Sequence, residues 1–255
     1  MIHNPVIDAM LQRKSIRKYK PEQPSEEVLE TVVRAGQQAP FAHQLGSLLL
    51  SRKTEKNPFN SPWYFTICAD LHRFELVMKE RGWERGANDL TSLIFAIQDA
   101  AYMAENMVIA AESLGMGSCF LGAAPFWHKE TIDDYKLPPH VFPLVGLSMG
   151  YPDENPPVRP RYPLEFHLFE NRYPELDSET VRRAMQVMDD GYLAQDYYRE
   201  ANYMIPLKGF KEETYTFENY SWTEHISRKL GLWNRTSRYI LTALKAYGFK
   251  LPGMK

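Results

Sequence analysis

The stretch LTSLIFAIQDAAYMAENMVIAAESLGMGSCFL, residues 90–121, decides the fold. Leu90, Leu93, Ile94, Ile97, Ala100, Ala101, Ala104, Met107, Val108, Ala111 and Leu114 recur at the 3.6-residue spacing of an α-helix, and Gly115 follows as its C-cap. Many of these residues are small, so another element can approach closely. That pattern suits a core helix or a dimer seam. Gln98, Asp99, Glu105, Asn106 and Glu112 interrupt the apolar run, which falls short of the roughly 20 apolar residues of a membrane span. Residues 118–121 then read as a strand.

Working outward, residues 48–50 and 63–69 are apolar, β-prone runs joined by the short polar connection 51–62. Asn4 and Pro5 open a short helix to about Gln12. Ser25, with Glu26 and Glu27 in the first turn, opens a second that Gly36 ends. Downstream, a helix near 129–135 precedes a strand at 144–149. Strands interleaved with helices specify a mixed α/β layer architecture. After Gly150 the prolines at 152, 156, 157, 160 and 163 enforce extended backbone. Residues 177 to about 198 are helical, 202–220 irregular and aromatic-rich. Ser221-Trp222-Thr223-Glu224 then has the form of a capping box, opening a helix that reaches Tyr247. We expect a main domain, 1–200, and an arm, 201–255. The arm has too little core to stand alone and packs on the body or on a second subunit.

Composition is that of a globular protein, with 44% hydrophobic residues and a formal net charge of -2. That charge provides no field to draw nucleic acid or an anionic membrane, so any bound anion must be held by local basic clusters. Two stand out. In Arg13-Lys14-Ser15-Ile16-Arg17-Lys18-Tyr19, an extended backbone puts Arg13, Ser15, Arg17 and Tyr19 on one face, which suits a phosphate and a polar ring edge. In Arg159-Pro160-Arg161, the proline stiffens two guanidiniums that can share one anion. Either cluster alone reads as a solvated basic loop; two in an acidic chain point to a ligand. The run GMGSCFLGAA, 115–124, lets backbone approach a flat aromatic group, while Ala39-Pro40-Phe41-Ala42-His43-Gln44 reads as a turn able to meet a cofactor rim. Neither GxGxxG, a P-loop, GxSxG nor HExxH occurs. Cys68 and Cys119 form no disulfide framework or metal spacing, and residues 1–10 do not read as a signal peptide. A cytosolic protein is expected.

Taken in order, these segments resemble the nitroreductase superfamily, and within it the oxygen-insensitive NADPH nitroreductases and NADPH:flavin oxidoreductases. The most specific parts are 13–17, 107–117, 137–141, Gly150-Tyr151-Pro152, 155–161 and Trp222-Thr223-Glu224-His225-Ile226. The resemblance implies an α+β fold, a mostly antiparallel central sheet flanked by helices, in an intertwined homodimer with two FMN molecules at the interface. It further implies hydride transfer from NADPH or NADH through flavin N5 to a small electron-poor acceptor (a nitroaromatic, a quinone or flavin) by a ping-pong mechanism. Arg13, Lys14 and Ser15 match the family's phosphate-binding residues, and Arg159 and Arg161 match the pair that grips the same phosphate. Arg17 matches the cation beside the flavin N1/O2 edge, the one catalytic side chain. Phe120, Leu121, Gly122 and Ala123 fall along the isoalloxazine. Ala39, Phe41 and Ala42 fall where a loop reaches the flavin of the other subunit.

Three departures from the pattern bear on the site. Connection 51–62 is shorter than in these relatives, which carry a helix and a flavin-contacting glutamine there; Glu55, Asn57 and Asn60 are the candidates to replace it. The 39–42 loop lacks the relatives' hydroxyls. The basic residues for an NADPH 2′-phosphate are missing before Trp222, leaving Lys208 and Lys211. The aromatic segment 203–220 reads either as a lid over the flavin or as a patch packed on a partner subunit. A flavin reductase for another acceptor class (dehalogenase-like, azo or enone) and a non-catalytic flavin-binding protein are the alternative functions.

Overall fold

The computed structural model describes residues 1–86, 88–209, 211–232 and 237–251. Local chemistry sets the first two helices. Asn4 accepts backbone N–H bonds from Val6 (3.0 Å) and Ile7 (2.9 Å) to start α1, Pro5–Gln12. Ser25 accepts from Val28 to start α2, Glu26–Gln37. Gly36 does not end α2 but lies in its last turn. A Cβ there would stand 2.6 Å from Met107 Cγ, so this glycine serves a close helix contact.

The chain continues through β1, Gly46–Ser51; β2, Trp63–Asp70; α3, His72–Glu80; α4, Asp89–Ser113; β3, Gly117–Leu121; α5, His128–Tyr135; and β4, Val141–Gly150. The sheet order is β1-β2-β4-β3, antiparallel at every pairing, as the resemblance implies. Helix α3 has no counterpart in the sequence reading.

Alternation along β2 sends Trp63, Phe65 and Ile67 to one face, where they pack with Leu147 and Met149 of β4, Val32 of α2 and Ala100, Ala104, Met107, Val108 and Ala111 of α4. Emptying one such position, as in Met107→Ala, costs about 2–5 kcal/mol. By length and composition α4 is apolar enough to cross a bilayer, contrary to the reading of its interruptions. Here it is a core helix, and its Asp89 and Asp99 are buried on protein partners.

The chain divides into two compact units, 1–156 with 236–255, and 157–235. In the second unit Asp177 caps α6, Ser178–Leu193, followed by α7, Tyr197–Glu200, and α8, Trp222–Gly231. The expected capping box does not form. Asp189 of α6 caps α8 instead, accepting from Thr223 N (2.9 Å), while Ser221 Oγ donates to the Asp189 carbonyl. The helix expected to run unbroken to Tyr247 is described as α8 and α9, Ser237–Ala246, and residues 233–236 lie outside the described residues. Helix α9 belongs to the first unit, where Ala243, Leu244 and Phe249 complete a second core with Leu45, Ala69, Leu71 and Phe142.

Segment 203–220 is folded into the second unit, with Phe210 outside the described residues. The Tyr220 ring is buried and its hydroxyl accepts from Ile205 N. Arg228, 4% exposed, donates to Glu213, Glu224 and the Ile205 carbonyl and lies against the Tyr215 and Tyr220 rings. The side-chain hydrogen bonds from Arg228 hold the Glu213 carboxyl down at about 2. A depressed carboxyl stabilises the fold above its ordinary value, near 4.5, and that contribution disappears as pH falls from there toward 2. Glu213→Gln should therefore lower the melting temperature at pH 7 and lose most of that deficit at pH 2. A gap independent of pH would dismiss the ion pair as the cause.

Candidate active site

Segment 13–19 is held against the end of the sheet by backbone pairing. Ile16 N donates to the Ser118 carbonyl (2.9 Å), Lys20 N to the Tyr151 carbonyl and Asp153 N to the Lys18 carbonyl. Ile16 is buried over β3, where a Cβ at Gly117 would stand 2.4 Å from its Cγ1, so only glycine admits this contact. Glu154 accepts from the backbone N–H groups of Arg17 and Lys18, and Asn155 accepts from Lys14 Nζ. Tyr19 is not on the face of Arg13 and Arg17. It turns inward, its hydroxyl donating to the Ile16 carbonyl (2.6 Å) and sharing a bond with Ser148 (2.9 Å), and burial pushes the phenol up.

What remains outward is cationic. Arg13, Lys14 and Ser15 are half-buried, Arg17 is exposed, and among the described residues no ion pair closes on Arg13, Lys14 or Arg17. A second carboxyl beside Arg13 and Lys14 is Glu112, at the end of α4. Burial raises it while Arg13 and Lys14 oppose the shift, and its Oε1 is buried without a hydrogen-bond partner. Such a fixed cluster fits a dianionic phosphate. Along β3, Phe120 and Leu121 lead to Gly122, an exposed position where an added Cβ meets nothing within 4 Å, so the backbone there is open to approach.

Loop 39–45 is set by one carboxylate. Asp99, buried in α4, accepts from Ala42 N (2.6 Å), His43 N (3.1 Å) and Leu45 N (2.9 Å). Ala39 is buried and Phe41 projects with 54% of its surface exposed, beside a cleft of about 630 Å3. In the second unit, Arg159 donates to Gln195 Oε1 (2.5 Å) and lies 4.2 Å over the Tyr197 ring, while Arg161 is exposed and donates to the carbonyls of Arg159 and Pro160.

The nitroreductase family model matches residues 10–51 and 49–151. The chain belongs to the nitroreductase family. A Bacillus subtilis FMN reductase (NADPH) is 28% identical over 229 residues, 84% of this chain and 89% of the relative. A Salmonella typhimurium oxygen-insensitive NADPH nitroreductase is 26% identical over 260 residues, 96% of this chain and 98% of that one. The solved NfrA1 nitroreductase of B. subtilis superposes with a TM-score of 0.76 at 28% identity, covering 96% and 98% of the two chains.

Connection 51–62 forms two single turns of 3-10 helix, 54–56 and 58–60. Asn57 is buried and its amide N–H groups go to the Ser51 and Ser61 carbonyls, so its donors are committed to the loop. Glu55 and Asn60 stay exposed. Sequence reading missed Asp99, Glu112 and Glu154. In the sequence Asp99 is only a polar break in an apolar helix, while Glu154 adjoins the Gly150-Tyr151-Pro152 motif. Asp99→Ala leaves three backbone donors without an acceptor, at about 1–3 kcal/mol for each that water cannot reach. We expect a stability loss of roughly 2–4 kcal/mol, with faster amide exchange at Ala42 and Leu45. Unchanged exchange there would show that the loop does not depend on this carboxylate.

Proposed function

We propose that this chain is an FMN-dependent oxidoreductase taking hydride from NADPH or NADH and delivering it to a small electron-poor acceptor such as a nitroaromatic, a quinone or free flavin. One observation carries this reading: Arg13, Lys14 and Arg17 are fixed on one backbone segment, with no ion pair among the described residues, at the start of a strand that leads to open space at Gly122. The FMN and NADPH named for the relatives agree with it.

FMN, when bound, would supply two-electron hydride chemistry at its N5, suited to a ping-pong exchange between donor and acceptor. Arg13 and Lys14, with the Ser15 hydroxyl, hold its phosphate. Arg159 and Arg161 are assigned to the same phosphate on sequence resemblance. Arg17 would place positive charge beside the flavin N1/O2 edge and so favour negative charge there. Phe120, Leu121, Gly122 and Ala123 lie along the ring.

A second copy of the chain completes the site. Asp99, which holds the 39–45 loop, and Glu112, beside Arg13, lie 13 residues apart on α4, an axial rise of about 20 Å. Ala39, Phe41 and Ala42 are assigned to the flavin bound by the partner's basic segment on sequence resemblance. Helix α4 also presents an apolar stripe, Leu90, Ile94 and Ile97, each more than 40% exposed, as a homodimer seam. The assignment is to a cytoplasmic protein that binds neither membrane nor nucleic acid.

Purified protein should be yellow, elute at twice the 29.7 kDa chain mass and lose its flavin bands under anaerobic NADPH or NADH. Colourless protein that cannot be reconstituted with FMN would overturn the reading, and flavin bands that resist both donors would overturn the enzyme. Arg17→Ala should slow flavin reduction while retaining FMN. Arg161→Ala should weaken FMN binding by roughly 1.5–3 kcal/mol, or roughly ten- to 150-fold in Kd. Equal FMN affinity in that variant removes Arg161 from the phosphate site. Ile97→Glu should halve the mass; a mass still at the dimer value moves the seam elsewhere.

A further inference from the structure

On the sheet face opposite the α2–α4 core lies a cleft of about 950 Å3, bounded by connection 51–58 on one side and α5 on the other. Its volume is that of a small-molecule site, and none of the residues assigned to flavin at 13–17, 39–42 or 120–123 lines it.

The cleft is built from aromatic surface. The Tyr64 ring reaches over Gly146, the β4 partner of Thr66, where a Cβ would stand 2.2 Å from the Tyr64 hydroxyl oxygen. Tyr135 lines the cleft from α5. Trp127 leaves 46% of its surface exposed at the mouth. The facing wall is equally fixed. Asn57 ties it to the Ser51 and Ser61 carbonyls, and Phe59 and Asn60 hold left-handed φ values of 61° and 50° without glycine.

The two rims carry opposite charge. Lys53 and Lys56 stand on the connection; Glu130 and Asp134, one helical turn apart, stand on α5. Among the described residues none of these four has an ion-pair partner, whereas their neighbour Arg52 is bound to Glu26. A ligand of single charge would satisfy one rim and face like charge on the other. We propose that this cleft binds an aromatic zwitterion, its ring on Tyr64 and Trp127, its carboxylate toward Lys53 and Lys56 and its ammonium toward Glu130 and Asp134. An aromatic amino acid and a short aromatic peptide share this chemistry. The inference does not depend on the flavin reading.

Calorimetry on the full-length protein, as purified with its cofactor, tests it with L-tryptophan, the dipeptide Gly-Trp, tryptamine and indole-3-acetate. Tryptophan or the dipeptide should bind once per chain and at least tenfold tighter than either single-charge analogue, the tighter of the two naming the source. The double variant Lys53→Ala/Lys56→Ala should erase the advantage over tryptamine, and Glu130→Gln/Asp134→Asn the advantage over indole-3-acetate, with FMN content unchanged in both. No binding by any probe, equal binding by all four, affinities unmoved by both double variants, or release of FMN by the probe would each overturn the proposal, the last by making the cleft part of the flavin site.

Discussion

Ala96, Ala100, Ala104 and Ala111 let α4 lie close under the sheet, where Met107 and Val108 fill the remaining space against Phe65 and Leu147. Three polar anchors are fixed by that burial because they sit on the same rigid rod. Asp89, near its start, accepts from Arg85 and from Lys250 N and so fastens the C-terminal segment. Asp99, in its middle, gathers the amides of loop 39–45. Glu112, at its end, stands beside Arg13 and Lys14. Moving α4 against the sheet would displace all three together.

Burying carboxylates in a core helix is costly unless each finds donors, and a carboxylate left alone there would destabilise the fold. Asp89 and Asp99 meet that condition with an arginine and with backbone amides. Glu112 does not, for one oxygen is without a hydrogen-bond partner. That oxygen lies beside two cations, at the proposed phosphate cradle. A partner that quenched Arg13 fully would leave less positive potential for a ligand.

Features governed by short-range chemistry were legible from sequence: the period of α4, the strands at 63–69 and 144–149, and the caps at Asn4 and Ser25. The basic segment 13–17 was legible as a candidate because its charge contrasts with an acidic chain. Features decided by distant partners were not. Ser221 carries the right neighbours for a capping box, but Asp189, 32 residues away, competes successfully for the helix start. Tyr19 shares the alternation of Arg17 but is drawn inward by Ser148, 129 residues away. Helix α3 has a weak pattern of its own, with no buried residue along it, and it is fixed by ties such as Arg85 to Glu75. Gly36 resembles a helix stop until Met107 is seen packed against it.

The spacing of Asp99 and Glu112 along one helix has a thermodynamic corollary. If each flavin is gripped by the basic segment of one chain and touched by the 39–42 loop of another, cofactor affinity and subunit affinity are reciprocal: whatever factor FMN adds to association, association adds to FMN retention. Dilution would then favour loss of the cofactor, and scarcity of riboflavin would favour separate subunits.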